Sequence, residues 1–372
     1  MSDFIYKLIF RCLSALPINH KKVMFVDYYG SRYGCNPKYI SKALSKYKDM
    51  DIIWAFVDAS DHPECSEGRS VKWGSLKFLY ELATSKVFIT NFRMPLWYHR
   101  RKSQNFIQTW HTPMNIKAIE KDTENTLTPH YVKMAKSESK NISLLISTAA
   151  YATQIFKRAF WYSGEIFEVG APRCDILVNQ PEELKDTIKG RLGIDKAKKV
   201  VLYAPTFRKG HSLDCYNVDF GQLIDGIESD WVVLTRLHPH LQAHAKGLFS
   251  KYAFVKDVTD YDDLQEILLI TDVLISDYSG LIFDYALTKN PCILYTPDLE
   301  EYCSKDRKLY FEIDKLPFPI CRNNSELTHS FRNFDIEKYQ HDVDLFLKSI
   351  GMISNGNASE RIAAQIVEMT NK

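Results

Sequence analysis

The sequence predicts an α/β protein of two doubly wound, Rossmann-like domains. Three observations lead there. Short apolar, β-branched runs alternate with helical stretches from residue 22 onward, the pattern of a parallel sheet covered on both faces. A charged stretch from Gln180 to Lys199 interrupts the alternation, which then restarts, so the expected domains are residues 1–175 and 176–372. The length of 372 residues, 45% hydrophobic and 25% charged, is enough for two well-filled cores and excludes a disordered or fibrous chain.

The first residues place Ile5, Leu8, Ile9, Leu13 and Leu16 at helical spacing, with Lys7 and Arg11 between them. Two readings fit: a basic amphipathic helix on a membrane surface, or an ordinary helix docked on the core. No apolar run reaches the ~18–20 residues of a membrane span, and a signal peptide would need a longer apolar stretch with a small-residue cleavage site. Expected strands then follow at Lys22–Asp27, Asp51–Val57, Lys86–Thr90, Phe106–Thr109, Leu144–Ser147 and Ile166–Val169, with helices at Pro37–Tyr47 and Ser75–Ala83. Beyond the charged stretch, strands are expected at Lys199–Tyr203, Trp231–Thr235, Asp272–Ser276 and Cys292–Tyr295, with helices at Leu264–Thr271 and Leu281–Leu287. Ser359–Met369 reads as a terminal helix with Ser359 as its N-cap.

Charge and cysteine usage narrow the function. Lys+Arg number 48 against 46 Asp+Glu, without the positive excess of a dedicated nucleic-acid binder, so no nucleic-acid partner is expected. Eight scattered cysteines with no C-x-x-C read as free thiols of a reducing compartment.

Ligands of open α/β sheets bind beyond the carboxyl ends of the strands, so the segments just after each strand carry the chemistry. Ser279-Gly280 opens a helix after a strand, where free N–H groups and the helix dipole attract a phosphate, and Asp284 on the next turn can accept from a hydroxyl or amide of the ligand. A simple N-cap by Asp277 or Ser279 explains that segment equally well. Arg208 and Arg236 each follow a strand of the same sheet and suit bidentate contact with phosphoryl oxygens, so with the helix start they describe a diphosphate site. His238, His240 and His244 have ligand-like spacing, but no Cys or carboxylate completes a shell. The expected role of His238 is a hydrogen bond to phosphate, and no metal is expected. His111, on a tight loop with Thr112 and Pro113 after a strand, is the candidate general base. The absence of G-x-S-x-G, G-x-x-x-x-G-K and G-x-G-x-x-G counts against α/β-hydrolase, P-loop and nicotinamide chemistry.

The strings F-I-Q-T-W-H-T-P (106–113), G-A-P-R-C-D (170–175), Y-A-P-T-F-R (203–208), R-L-H-P (236–239), I-S-D-Y-S-G-L-I-F-D-Y (275–285) and L-Y-T-P-D-L-E-E-Y (294–302) resemble the CDP-glycerol glycerophosphotransferase family. Its members are the teichoic acid primases and polymerases of bacterial cell walls. The resemblance implies a GT-B-like arrangement, with the donor held mainly by the second domain and the acceptor arriving from the membrane. It implies transfer of glycerol phosphate from CDP-glycerol to a hydroxyl of a lipid-linked or polymeric acceptor, with release of CMP and no cofactor. It also implies a peripheral location on the cytoplasmic face of the bacterial membrane. The histidine matching His111 is the family's base, and the one matching His238 helps hold the donor phosphates. Donor contacts map onto Arg173, Pro205, Thr206, Arg236, Ser279, Gly280 and Asp284, with Thr112 and Pro113 as substrate-binding candidates beside the base. The family's W-H-G-T-P is here Trp110-His111-Thr112-Pro113 without the glycine, Cys174 replaces an asparagine, and Gly280 replaces a serine. CDP-ribitol is the rival donor, and a non-catalytic nucleotide-binding subunit of a wall-polymer assembly complex is the rival from another class.

Overall fold

The computed structural model describes residues 3–112, 114–208, 213–237, 249, 251–305 and 308–372. It divides into unit 1, Met1–Pro113, Ile119–Asp175 and Gly351–Lys372, and unit 2, Met114–Ala118 and Ile176–Ile350.

Unit 1 is built on seven strands: β1 (Asn19–Val26), β2 (Asp51–Phe56), β3 (Arg69–Lys72), β4 (Ser85–Thr90), β5 (Asn105–Gln108), β6 (Leu144–Ser147) and β7 (Glu165–Glu168). They pair in parallel in the order β3-β2-β1-β4-β5-β6-β7. The apolar runs make the central strands: β4 is buried at all six positions, as a strand covered on both faces must be. Phe25 of β1 lies in register with Trp54 of β2 and Ile89 of β4. The Trp54 ring stacks on Phe25 and on Phe56, each at 5.5 Å, and this cluster is the middle of the core.

Unit 2 repeats the plan with β8 (Lys199–Tyr203), β9 (Trp231–Thr235), β10 (Val255–Asp257), β11 (Val273–Ser276), β12 (Cys292–Tyr295) and β13 (Ile320–Cys321). These also pair in parallel, in the order β10-β9-β8-β11-β12-β13. The strand order reverses between β1 and β4 in the first sheet and between β8 and β11 in the second. Those switch points are where α/β sheets hold ligands.

The apolar pattern does not announce β3, β10 or β13. All three are edge strands, and β3 reads Arg-Ser-Val-Lys with only Val71 buried, since an edge tolerates and uses polar residues. The charged stretch after residue 180 contains a helix, Glu182–Arg191, that buries only Ile188. Its acids at the start and bases at the end suit the helix dipole, which is why the segment looks like a break in an apolar pattern.

The expected second domain of 176–372 needs a correction at its end. The helix Ala358–Asn371 packs in unit 1, with Ile362, Ala363 and Ile366 buried in the same cluster as Trp54 and Ile89. Ser359 does not cap it. The Asp175 carboxylate accepts from the amides of Ala358 (3.0 Å) and Ser359 (2.8 Å), so the cap comes from a residue far away in sequence, and the Ser359 hydroxyl donates to the Pro172 carbonyl. Ile366→Ala should lower the unfolding free energy of the first unit by about 2–5 kcal/mol, the cost of emptying a buried isoleucine site, measured by urea denaturation followed through tryptophan fluorescence.

Candidate active site

In unit 1 the chain leaves β5 at Gln108 and turns through Thr109 and Trp110 to His111. Gln108 anchors the exit: its Nε2 donates to the Phe92 carbonyl at 2.9 Å and to Glu138 at 3.1 Å, and its Oε1 accepts from the Trp110 amide at 2.9 Å. Glu138 also pairs with Arg93 at 2.9 Å, and Arg93 reaches Glu120 at 2.8 Å. This ion cluster is buried on all sides, with the Arg93 guanidinium 5.4 Å from the Trp110 ring. The floor of the His111 loop is therefore rigid before the histidine itself is considered.

His111 is half-buried, 4.3 Å from the Trp110 ring and 5.9 Å from the Tyr28 ring. Its Nδ1 lies 3.1 Å from the Asn91 carbonyl oxygen. A carbonyl can only accept, so Nδ1 carries the hydrogen and Nε2 keeps the lone pair. Burial, opposed by the bond to Asn91 and reinforced by the charges of Arg173 and Arg93, pulls the imidazole pKa down to about 4. The ring is neutral at physiological pH and offers Nε2 as a proton acceptor.

Asn91, just after β4, ties this arrangement to the switch point. Its side chain donates to Asp27 at 2.5 Å and accepts from the Tyr28 amide at 3.2 Å, bridging the ends of β1 and β4. Arg173 also belongs to this unit: it is 6% exposed, and its guanidinium donates to the His111 carbonyl at 2.5 Å. The expectation from family resemblance is a donor contact, and the structure gives Arg173 a bond to the backbone of His111. Thr112 is half-buried beside it.

In unit 2, Asp277 closes the switch point. Its carboxylate accepts from the Thr206 amide, with both oxygens at 2.9 Å, and pairs with Arg208 at 2.9 Å. Arg208 also lies 2.7 Å from Asp298, and Tyr278 donates to Asp298 at 3.0 Å. Three of the sequence strings thus meet in one buried knot. The Arg208 side chain is 1% exposed, with its charge balanced by two carboxylates that raise its pKa. At Arg208, where a phosphate contact is expected, the guanidinium lies between two aspartates and ties the loops after β8, β11 and β12 together. Asp284 is fully buried and accepts from Gln265 at 3.0 Å, a bond that fastens the helix Leu264–Leu269.

Thr206, Arg236, Ser279 and Gly280 are half-buried at the carboxyl ends of their strands, and Pro205 beside them is buried. Arg236 donates one nitrogen to the carbonyls of Val258 (2.9 Å) and Tyr261 (2.6 Å), which fixes the direction of its guanidinium. Ser279 Oγ accepts from the Leu281 amide at 3.3 Å, and the N-cap of the helix Leu281–Tyr285 is Gly280. His238 and Pro113 lie outside the described residues. Asn36, Asn91, Asp277 and Asp298 were not among the candidate residues. Asn91 directly follows the apolar run of β4, so the strand-end rule reaches it, whereas nothing in the sequence around Asn36 marks it.

Comparison with known proteins agrees with this picture. Residues 8–368 match the family described as CDP-glycerol:poly(glycerophosphate) glycerophosphotransferase. The chain is 32% identical over 380 residues to the teichoic acid poly(glycerol phosphate) polymerase of Bacillus spizizenii, covering 98% of this chain and 96% of that one. It is 33% identical over 364 residues to the polymerase of the same name from Staphylococcus epidermidis, where 93% of this chain spans half the length of the relative. A solved structure of a histidine-to-asparagine variant of the wall teichoic acid polymerase TagF with CDPG superposes with a TM-score of 0.90 at 29% identity, over 99% of this chain and 94% of that one. The two parallel sheets and this likeness give the fold class as GT-B-like.

Removing the guanidinium from the knot strands two buried carboxylates. Arg208→Met should therefore lower the unfolding free energy by about 3–5 kcal/mol, read by urea denaturation at pH 7.

Proposed function

This chain belongs to the CDP-glycerol:poly(glycerophosphate) glycerophosphotransferase family, and we propose that His111 is the base of its reaction. The enzyme moves glycerol phosphate from CDP-glycerol to an acceptor in teichoic acid synthesis. In the proposed step an acceptor hydroxyl oxygen attacks the phosphorus bearing glycerol. The new O–P bond forms as the phosphoanhydride bond breaks, CMP leaves with the electron pair, and the hydroxyl proton passes to His111 Nε2. The observation that carries the assignment is the Nδ1 contact with the Asn91 carbonyl, which leaves the acceptor lone pair on the outward nitrogen.

Phosphoryl transfer depends mainly on positioning and on stabilising spread negative charge. On this reading Arg236, Thr206 and the Ser279-Gly280 turn hold the donor phosphates together with His238, while Arg208 and Asp284 support those loops from beneath. The half-buried positions of Thr206, Arg236, Ser279 and Gly280 at the strand ends support the reading. CDP-glycerol is preferred to CDP-ribitol because the relatives named for glycerol phosphate reach 33% identity and those named for ribitol phosphate 30%.

The acceptor is taken to be lipid-linked or polymeric, with the enzyme lying peripherally on the cytoplasmic membrane face. The helix Asp3–Leu13 supports this by combining both sequence readings. Phe10 is buried and Tyr6 stacks on Trp97 at 5.3 Å, so the helix is docked. Its other face exposes Phe4, Ile5 and Leu8 beside Lys7 and Arg11, the composition of an interfacial helix. Among the described residues no helix is long and apolar enough to cross a membrane. The Phe4→Glu, Leu8→Glu double variant should lose sedimentation with vesicles containing anionic phospholipid while keeping its affinity for CDP-glycerol in solution.

His111→Ala should lower turnover at least ~100-fold, the low end for a lost general base, with CDP-glycerol affinity nearly unchanged. Release of labelled CMP and calorimetric titration measure the two. An active alanine variant would remove His111 from the role. Because the free-enzyme pKa is held to about 4, the acid limb of kcat/KM should fall there rather than near 6.5. The limb of kcat should lie higher, since bound phosphates favour the imidazolium.

A further inference from the structure

We infer that Asn36 is a positioning residue for the transfer reaction, setting the base through the carbonyl groups of its loop. The inference rests on the reading of His111 given above. Asn36 is the second residue of the helix Cys35–Leu44 and is 3% exposed. Both donor contacts of its Nδ2 go to consecutive carbonyls of the base loop, Thr109 at 3.1 Å and Trp110 at 3.0 Å. Its Oδ1 accepts from the backbone amide of Arg173 at 3.2 Å, and the Arg173 guanidinium takes the next carbonyl, that of His111. Three successive carbonyls are thus held by two residues, one from each of two segments far apart in sequence.

The conformation of Trp110 explains why such a clamp is needed. Trp110 has a φ of +53°, a left-handed conformation that costs a bulky residue on the order of 1–3 kcal/mol and persists only where its surroundings impose it. Gln108 holds the Trp110 amide and Asn36 its carbonyl, so the peptides on both sides of the strained residue are fixed. With the loop immobile, the His111 ring stays on the Asn91 carbonyl and Nε2 keeps one direction. Without Asn36, Trp110 is free to relax, and the ring turns with it. An apolar residue at 36 would also leave buried carbonyls without donors, which a purely structural role predicts as well. The test must therefore read the base and not the fold alone.

The charged and titratable groups near His111 are Arg173 and Arg93 with its partners Glu120 and Glu138, together with Tyr28, Cys35 and Asp27 behind Asn91. Asn36→Ala removes none of these charges and takes from them only the bond to the Arg173 amide, so the pH profile is read together with kcat and the double variant.

The experiment measures CMP release from CDP-glycerol with a lipid-linked acceptor for the full chain, Asn36→Ala, His111→Ala and the double variant. Asn36→Ala should lower kcat about 10–100-fold, the scale of a misplaced catalytic group, with the Kd for CDP-glycerol within about twofold. The acid limb of kcat/KM should move up from about 4 toward about 6.5 as water reaches the loosened ring. In the His111→Ala background the second substitution should cost nothing further, because residues acting as a unit are not additive. Multiplicative losses in the double variant, or donor affinity falling in step with kcat, would overturn the inference while leaving His111 as the base. An inactive parent chain would overturn the reading of His111 and this inference together. If Asn36→Ala does not fold, Asn36→Asp keeps the shape and the acceptor for Arg173 but loses both donors, and carries the same expectations for kcat, Kd and the double variant; the acid limb, which its added charge also raises, is not read from it.

Discussion

A parallel sheet ends in backbone amides and carbonyls that no neighbouring strand completes, and inside a protein each such group left without a partner costs about 1–3 kcal/mol. Short polar side chains meet that demand here at both switch points. In unit 1, Asn91 joins the ends of β1 and β4, and Asn36 and Gln108 take the groups that follow β5. In unit 2, Asp277 joins the ends of β8 and β11 through the Thr206 amide. The groups that complete the backbone are the same ones that orient the histidine and the donor loops, so the architecture and the chemistry share one set of bonds.

The two units use charge in opposite ways. Around His111, burial reinforced by the charges of Arg173 and Arg93 keeps the ring neutral, which a proton acceptor requires. Around Arg208 they are anionic and the guanidinium is kept charged, which makes it a permanent tie between three loops. A single cation could have served as ligand or as tie. The two aspartates favour the tie, since breaking a buried ion pair strands its carboxylates.

The sheets were legible because central strands of a covered parallel sheet must be apolar throughout, as Lys-Val-Phe-Ile-Thr and Lys-Val-Val-Leu-Tyr are. Edge strands such as Arg-Ser-Val-Lys carry no such mark. The strand-end rule led to the loops after β5, β8, β9 and β11. It could not rank the residues within them, because Arg208 and Arg236 look alike in sequence, whereas the structure ties Arg208 to Asp277 and Asp298 and Arg236 to the carbonyls of Val258 and Tyr261. Asn36 was invisible for a related reason: its partners lie 73 and 74 residues away, and no local spacing encodes that. The domain of the terminal helix was misplaced because its apolar stripe states that it packs, not on what.

That helix makes unit 2 an insertion in the chain of unit 1, which is left at Asp175 and rejoined at Gly351. During synthesis the ribosome must deliver all of residues 176–350 before Ile362 and Ile366 can cover the sheet around Trp54 and Ile89. Domains mature as units on the nascent chain, so the second unit can finish while the first still waits with bare hydrocarbon on one face. Half of this enzyme is translated early and completed late, and that interval is when it most needs a chaperone.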